Sequence, residues 1–230
     1  MKRALICIVA IGALPPAPAL AQETGTLRTH RSAEIDDQSR DGARRTMEAF
    51  AACLVSRQNG RVMTMSRLHI DSDQYQRVLR NLYDNTDDVC LSGSGQLSFS
   101  FNLLRGGIFQ ALYAREFDGA GPTDFSAVTS TGYRQLYGDD MAPEARTAVA
   151  LEQFGECVSR ADGAGVQALL RQRPGSTGKR ETIAALGPRF GACIPRDQTI
   201  RFSPSVLKGA LAEGIFRLSV AARETQGASR

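Results

Sequence analysis

The chain has 230 residues, of which 42% are hydrophobic and 23% charged, and a formal net charge of +4. Two basic residues, Lys2 and Arg3, head a leader; without it 26 basic face 24 acidic side chains, a net charge of about +2 with the histidines neutral. The remaining bases are scattered among acids, without the stripe that nucleic acid or an anionic membrane surface requires.

The leader reads as a secretory signal over residues 1–21. Ala4 to Leu14 is an almost unbroken apolar run, and Ala19-Leu20-Ala21 supplies the small residues of a cleavage site. Cleavage is expected to leave Gln22 as the mature N-terminus. An apolar run closed by Pro15-Pro16 is too short for a hydrocarbon core that needs about 20 residues. Cys7 lies inside the run and leaves with it, so it is not the lipid-bearing first residue of a lipoprotein. Four cysteines remain, an even number for a compartment where disulfides persist. The expected location is the periplasm or outside the cell, with no membrane insertion after cleavage. Residues 22–40, including His30, read as a disordered tail.

Beyond the tail the chain repeats itself. Phe50-Ala51-Ala52-Cys53 with Val55-Ser56-Arg57 after it returns as Phe154-Gly155-Glu156-Cys157 with Val158-Ser159-Arg160. Cys90 answers to Cys193 at an offset of 103, as do Leu104, Arg105, Gly106, Ile108, Leu112 and Tyr113 to Leu207, Lys208, Gly209, Leu211, Ile215 and Phe216. Between the cysteines the offset is 104, which pairs Val62, Met65, Arg67, Ser72 and Leu82 with Val166, Leu169, Arg171, Ser176 and Leu186. The expectation is an all-α protein made by tandem duplication of a small four-helix module, with module 1 at residues 41–113 and module 2 at 144–224, followed by a disordered tail at 225–230.

In each module a first helix carries Met47, Phe50 and Leu54, or Leu151, Phe154 and Val158, on one face. A short second helix carries Val62 and Met65, or Val166 and Leu169; Pro174-Gly175 breaks it in the second copy. Ser72 and Ser176 can cap a third helix with Val78, Leu79 and Leu82, or Ile183 and Leu186. Short extended stretches follow at Gln96 to Phe101 and Gln198 to Phe202. The last helix starts at Ser203-Pro204, an N-cap followed by a proline at the first helical position, and Ser100 takes the same place in the first copy. Gly106-Gly107 and Gly209-Ala210 weaken that helix, which points to close approach of another helix at that turn.

Three cysteine pairings are open, and only Cys53 with Cys90 and Cys157 with Cys193 gives each copy its own bridge. A loop of that length contributes about 3.8 kcal/mol in the chain-entropy model, comparable with the stability of so small a module. No close C-x-x-C pair suggests redox chemistry. Neither His30 nor His69 stands at ligand spacing from another ligand, and Gly93-Ser94-Gly95 and Gly119-Ala120-Gly121 read as turns. Asp84, Asn85, Asp87 and Asp88 lack the glycine and glutamate of an EF-hand loop. No catalytic, metal or cofactor residue is nominated. Charged residues kept in both copies are Glu48 with Glu152, Arg67 with Arg171 and Arg105 with Lys208; they read either as a pair of equivalent acidic-basic sites or, the favoured reading, as an ion pair between first and last helices that orients each module.

The layout F-x-x-C-V-S-R, a turn ending in Pro174-Gly175-Ser176, a second cysteine and L-[RK]-G-x-[IL]-x-[EQ]-x-[IL]-[FY] resembles a group of uncharacterised exported proteins of alphaproteobacteria. The resemblance implies the architecture and compartment and carries no activity or ligand with it.

Residues 114–143, between the modules, hold Phe117, Phe125, Tyr133 and Tyr137 among glycine, proline and aspartate. These aromatics either fold back into the seam between modules or stand outward as anchors for a partner. The functional expectation is a non-enzymatic protein that binds another envelope or extracellular macromolecule through its paired helical modules. The alternatives are an enzyme or a small-ligand carrier with a site in the intermodular cleft. Processing has a direct check: intact mass of protein recovered from the envelope fraction is expected to place the N-terminus at Gln22, and retention of Met1 to Ala21, or an attached lipid, would overturn the export reading.

Overall fold

The computed structural model describes residues 37–84, 90, 100–130, 141–173, 176–194 and 202–228. They form eight helices and, among the described residues, no strand. These are α1 (Asp37–Arg57), α2 (Asn59–Arg67), α3 (Asp73–Asp84), α4 (Phe101–Phe117), α5 (Pro143–Ala161), α6 (Gly163–Leu170), α7 (Thr177–Cys193) and α8 (Pro204–Ala228). The all-α expectation holds. Helix α1 starts and α8 ends inside the stretches read as tails. The two extended stretches lie largely outside the described residues, and at their described ends Phe101 opens α4 while Phe202 stands just before Ser203.

Helix starts follow local chemistry. Ser72 Oγ accepts from Tyr75 N–H at 3.1 Å, Ser176 Oγ from Lys179 N–H at 3.3 Å and Ser203 Oγ from Val206 N–H at 3.3 Å. Each satisfies one of the amides that a helix leaves unpaired at its start. Asp162 does the same for α6, accepting from Gly165 N–H at 2.8 Å. Ser100 departs from the expected pattern: it stands at the N-cap of α4, but its hydroxyl makes no capping bond, and its carbonyl alone accepts, from Leu103 and Leu104. Helix α4 ends on two residues with positive φ, Asp118 at 50° and Gly119 at 67°, which turn the chain away.

Both disulfides have the expected pairing. Cys53 in α1 is bonded to Cys90, and Cys157 in α5 to Cys193 at the end of α7. Helix α1 packs on α4, α4 on α8, and α8 on α5, while α3 lies on α2 and α7 on α5 and α6. Helices α4 and α8 run in the same direction: Gly106 meets Gly209, the Phe109 ring lies 5.7 Å from Phe216, and Arg223 donates to Glu116 O at 2.9 Å. The buried apolar residues form one cluster drawn from both halves of the chain, from Phe50 and Leu54 to Ile215 and Phe216. A single shared core, rather than two small ones, relieves the burial deficit of a 70-residue unit.

Residues 118–130 are stitched to the C-terminal half. Arg160 donates to the carbonyls of Phe125, Val128 and Thr129, each at 2.9 Å, and Gln167 to Gly121 O at 2.5 Å. Phe125 and Val128 turn inward as a result.

The contact of α4 with α8 depends on missing side chains. A Cβ placed on Gly106 would lie 2.6 Å from Gly209 Cα, and the converse distance is also 2.6 Å. At Gly155 an added Cβ would fall onto Ala210 O. Gly191, in α7, has nothing within 4 Å of such an atom. Gly106→Ala is therefore expected to destabilise by about 1–3 kcal/mol through overpacking, and Gly191→Ala to stabilise by up to about 1 kcal/mol through helix propensity. Urea unfolding of the two variants against the parent checks the contrast.

Candidate functional site

The densest group of ionisable side chains among the described residues lies where α3, α4, α5 and α8 converge. Arg105 follows the core residue Leu104 on α4 and is itself only 4% exposed. Its Nε donates to Glu213 Oε2 at 2.8 Å and its Nη2 to Glu213 Oε1, a two-point pairing that suits the planar guanidinium. Nη1 donates to Tyr75 Oη at 2.7 Å, and Nη2 faces Glu152 Oε2 at 3.4 Å. One turn along α8 from Glu213, Arg217 reaches Glu213 at 3.0 Å and Glu152 at 3.1 Å through Nε. The two guanidiniums also stand 5.4 Å from the centre of the Phe109 ring. Two cations thus meet two carboxylates, with Arg105, Glu152 and Glu213 in the core and Arg217, 25% exposed, at its edge.

Burial and pairing compete at each group. Burial pushes the Glu152 carboxyl up; Arg217 and Arg105 oppose it, Glu213 and Glu156 add to it, and the net shift is upward. Burial also acts on Glu213, but Arg105 and Arg217, both bonded to it, prevail and hold it below the usual carboxylate range. Burial raises the Tyr75 hydroxyl. Arg105 titrates above its ordinary range despite burial because Glu213 and Tyr75 face it.

Room for chemistry is scarce beside this network. The gap bordered by Asn102, Arg105, Gly106, Leu151, Gly209 and Glu213 measures about 10 Å³, space for about one water. Asn102 Oδ1 and Arg217 Nη2 are buried with no hydrogen-bond partner. No nucleophile stands beside a base there. Among the described residues, no group of three or more histidine, cysteine, aspartate or glutamate side chains is placed to hold a metal ion.

A second, smaller group joins α1 and α8. Lys208 Nζ lies 3.6 Å from Glu48 Oε1 and donates to Gln172 O at 3.0 Å. The expected ion pairs are therefore corrected: first and last helices do pair, but across the halves, Glu48 with Lys208 and Glu152 with Arg105. The reason is that α4 and α8 lie against each other, which brings each cation to the first helix of the opposite half. Arg67 is exposed, and Arg171, also exposed, donates to Gly119 O at 2.9 Å.

Of the four candidate partner-binding aromatics, Phe117 is half-buried, stacks on Tyr113 at 5.4 Å and lies under Arg223 at 4.2 Å. Phe125, 2% exposed, faces the core and is corrected to a packing residue, because the carbonyls fixed by Arg160 turn its segment inward. Tyr133 and Tyr137 lie outside the described residues, as do His30 and the acidic stretch beyond Asp84. His69 is exposed, and its carbonyl accepts from Ser72. Three network members escaped the sequence reading. Glu213 stood in the repeat motif opposite Gln110, Arg217 lies four residues beyond it, and Tyr75 is the first buried residue after the Ser72 cap.

No protein-family model matches the chain, and no curated protein or solved structure does.

The two carboxylates of the network carry opposite pH signatures. Glu152, held above its ordinary 4.5, contributes stability that is complete below 4.5 and lost as pH rises through its folded value. Glu213, held below 4.5, contributes stability present above 4.5 and lost as pH falls through its folded value. E213Q is expected to cost about 3–5 kcal/mol at pH 7, since it leaves Arg105 short of its main partner, and E152Q to cost less. From pH 7 to pH 5 the parent should gain on E152Q, and on E213Q by a smaller amount, because Glu213 is one of the charges that raise Glu152. Urea unfolding at the two pH values measures both trends.

Proposed function

We propose that the chain is an exported, non-enzymatic protein of the periplasm or cell exterior, built by duplication of a helical module, and that it binds another envelope or extracellular macromolecule. In this reading residues 1–21 are the export signal, and the chain is akin to the exported alphaproteobacterial proteins its motifs resemble. The observation that carries it is the charge network: Arg105, Glu152 and Glu213 are buried, pair with one another and with Arg217, whose side chain is 25% exposed, and adjoin space for about one water. Such a group orients helices and leaves little room for a substrate.

Two disulfides suit an oxidising compartment. No helix of the described residues is long and apolar enough to cross a membrane. Duplication is supported by the order of helices, by the matching serine caps at Ser72 and Ser176, by bridges at equivalent places, and by the mutual contact of Gly106 with Gly209.

With Phe117 and Phe125 engaged in packing, Tyr133 and Tyr137 are the remaining aromatic candidates for partner recognition. Tagged protein cross-linked in its own envelope fraction is expected to retain one partner at constant stoichiometry, and Y133S/Y137S to lose it with the melting temperature unchanged. A lowered melting temperature with capture intact would return the two tyrosines to the seam, and the lack of any stoichiometric partner would overturn the binding function.

A further inference from the structure

Glycine serves α7 differently from the helices it packs on. At Gly106, Gly155, Gly209 and Gly214 an added Cβ would lie 2.6 Å or less from a neighbouring backbone, so the missing side chain permits a contact. Gly187 and Gly191, inside α7, meet nothing within 4 Å, and Pro188 stands between them in the same helix. Glycine and proline are the poorest helix formers, and here no close approach offsets them. Packing adds little. Past Leu186 no residue of α7 is buried, and Pro188, Arg189, Gly191 and Ala192 are exposed. The ring of Phe190, half-buried, lies 5.7 Å from Phe154 of α5. Side-chain hydrogen bonds of α7 close locally: Thr182 donates to Gly178 O at 2.7 Å, and Ser176 caps the first turn. The third helix of the first half, α3, is tied outward instead, with Tyr75 Oη accepting from Arg105 at 2.7 Å and Leu82 O from Gln58 Nε2 at 3.2 Å. What fastens the far end of α7 is its bridge to Cys157.

We propose that the Cys157–Cys193 bridge is a redox-released latch: a dithiol reductant opens it, residues 187–193 unseat, and the side of Phe154 under Phe190 is bared while the shared core stays folded. Both of its cysteines are half-buried, whereas Cys90 of the other bridge is 7% exposed. Gly191 and Ala192 before Cys193 are exposed, while Glu156 and Val158 beside Cys157 are buried, so the Cys193 sulfur is reached first. A thiolate of the reductant attacks that sulfur, forms a mixed disulfide and releases Cys157 as a thiolate, which takes up a proton. The second thiol of the reductant then displaces Cys193 as a thiol and leaves as a disulfide, so two electrons pass to the bridge. The start of α7 keeps its place, because Lys179 is buried there and Gln172 O, just before the helix, accepts from Lys208 at 3.0 Å. Opening of this kind is a local unfolding step, separate from the global one. The latch does not rest on the macromolecular binding reading.

Full-chain protein with both bridges formed is treated with dithiothreitol under native conditions, trapped at intervals with iodoacetamide, and followed by peptide mass mapping and hydrogen exchange. Cys157 and Cys193 are expected to be alkylated before Cys53 and Cys90. At that stage exchange over residues 187–193 should quicken at least about tenfold, with α4 and α8 unchanged. G187A/G191A, which strengthens the helix without meeting a neighbour, should restore about tenfold of that protection in the reduced protein. Alkylation of Cys53 and Cys90 first or at the same stage, or a Cys157–Cys193 bridge that opens only on unfolding, would overturn the selective release. Unchanged exchange over residues 187–193 once the bridge is open would overturn the latch. Loss of protection in α4 and α8 at that same stage would make the bridge a staple of the whole fold instead.

Discussion

Burying a guanidinium is the most demanding requirement in this fold. Arg105 lies within an apolar helix face and can stay charged there only if carboxylates reach it without water. Its partners come from α3, α5 and α8, so none of these helices can shift without stranding a charge. Arginine suits the role, because its fork takes two oxygens of Glu213 at once while leaving a nitrogen for Tyr75. The network thereby ties the N-terminal half to the C-terminal half more specifically than apolar contact could.

That pairing is possible only because α4 and α8 approach closely. Gly106 and Gly209 meet backbone to backbone, and Gly155 and Gly214 do the same where α5 packs on α8. Each glycine weakens its helix, by roughly 1 kcal/mol relative to alanine, and the loss is offset by contacts that a longer side chain would prevent. Small residues and buried charges are thus one device: the first sets the distance, the second sets the register.

The two crossing ion pairs differ in chemistry. At Arg105 a guanidinium meets two carboxylates in the core; at Lys208 a buried ammonium meets Glu48, which is 28% exposed. An ammonium is a compact point charge with a readily shifted pKa, unlike a guanidinium. The first is a fixed, buried clamp, and the second reaches a more exposed carboxylate.

The helices, their serine caps and the disulfide pairing were legible in the amino-acid sequence because they depend on local physics. Apolar residues at three- and four-residue spacing, a hydroxyl before the first turn, and the loop between two cysteines act within about forty residues of chain. Local rules also erred locally: Ser100 occupies its cap position without bonding. The identity of each ion pair was decided by tertiary structure alone. Arg105 and Glu213 are 108 residues apart, and whether Glu48 meets Arg105 or Lys208 depends on how α4 lies against α8. Helical periodicity assigns a residue to a face, but it does not say which helix that face will meet, and the partner of a buried charge is fixed only when the helices pack.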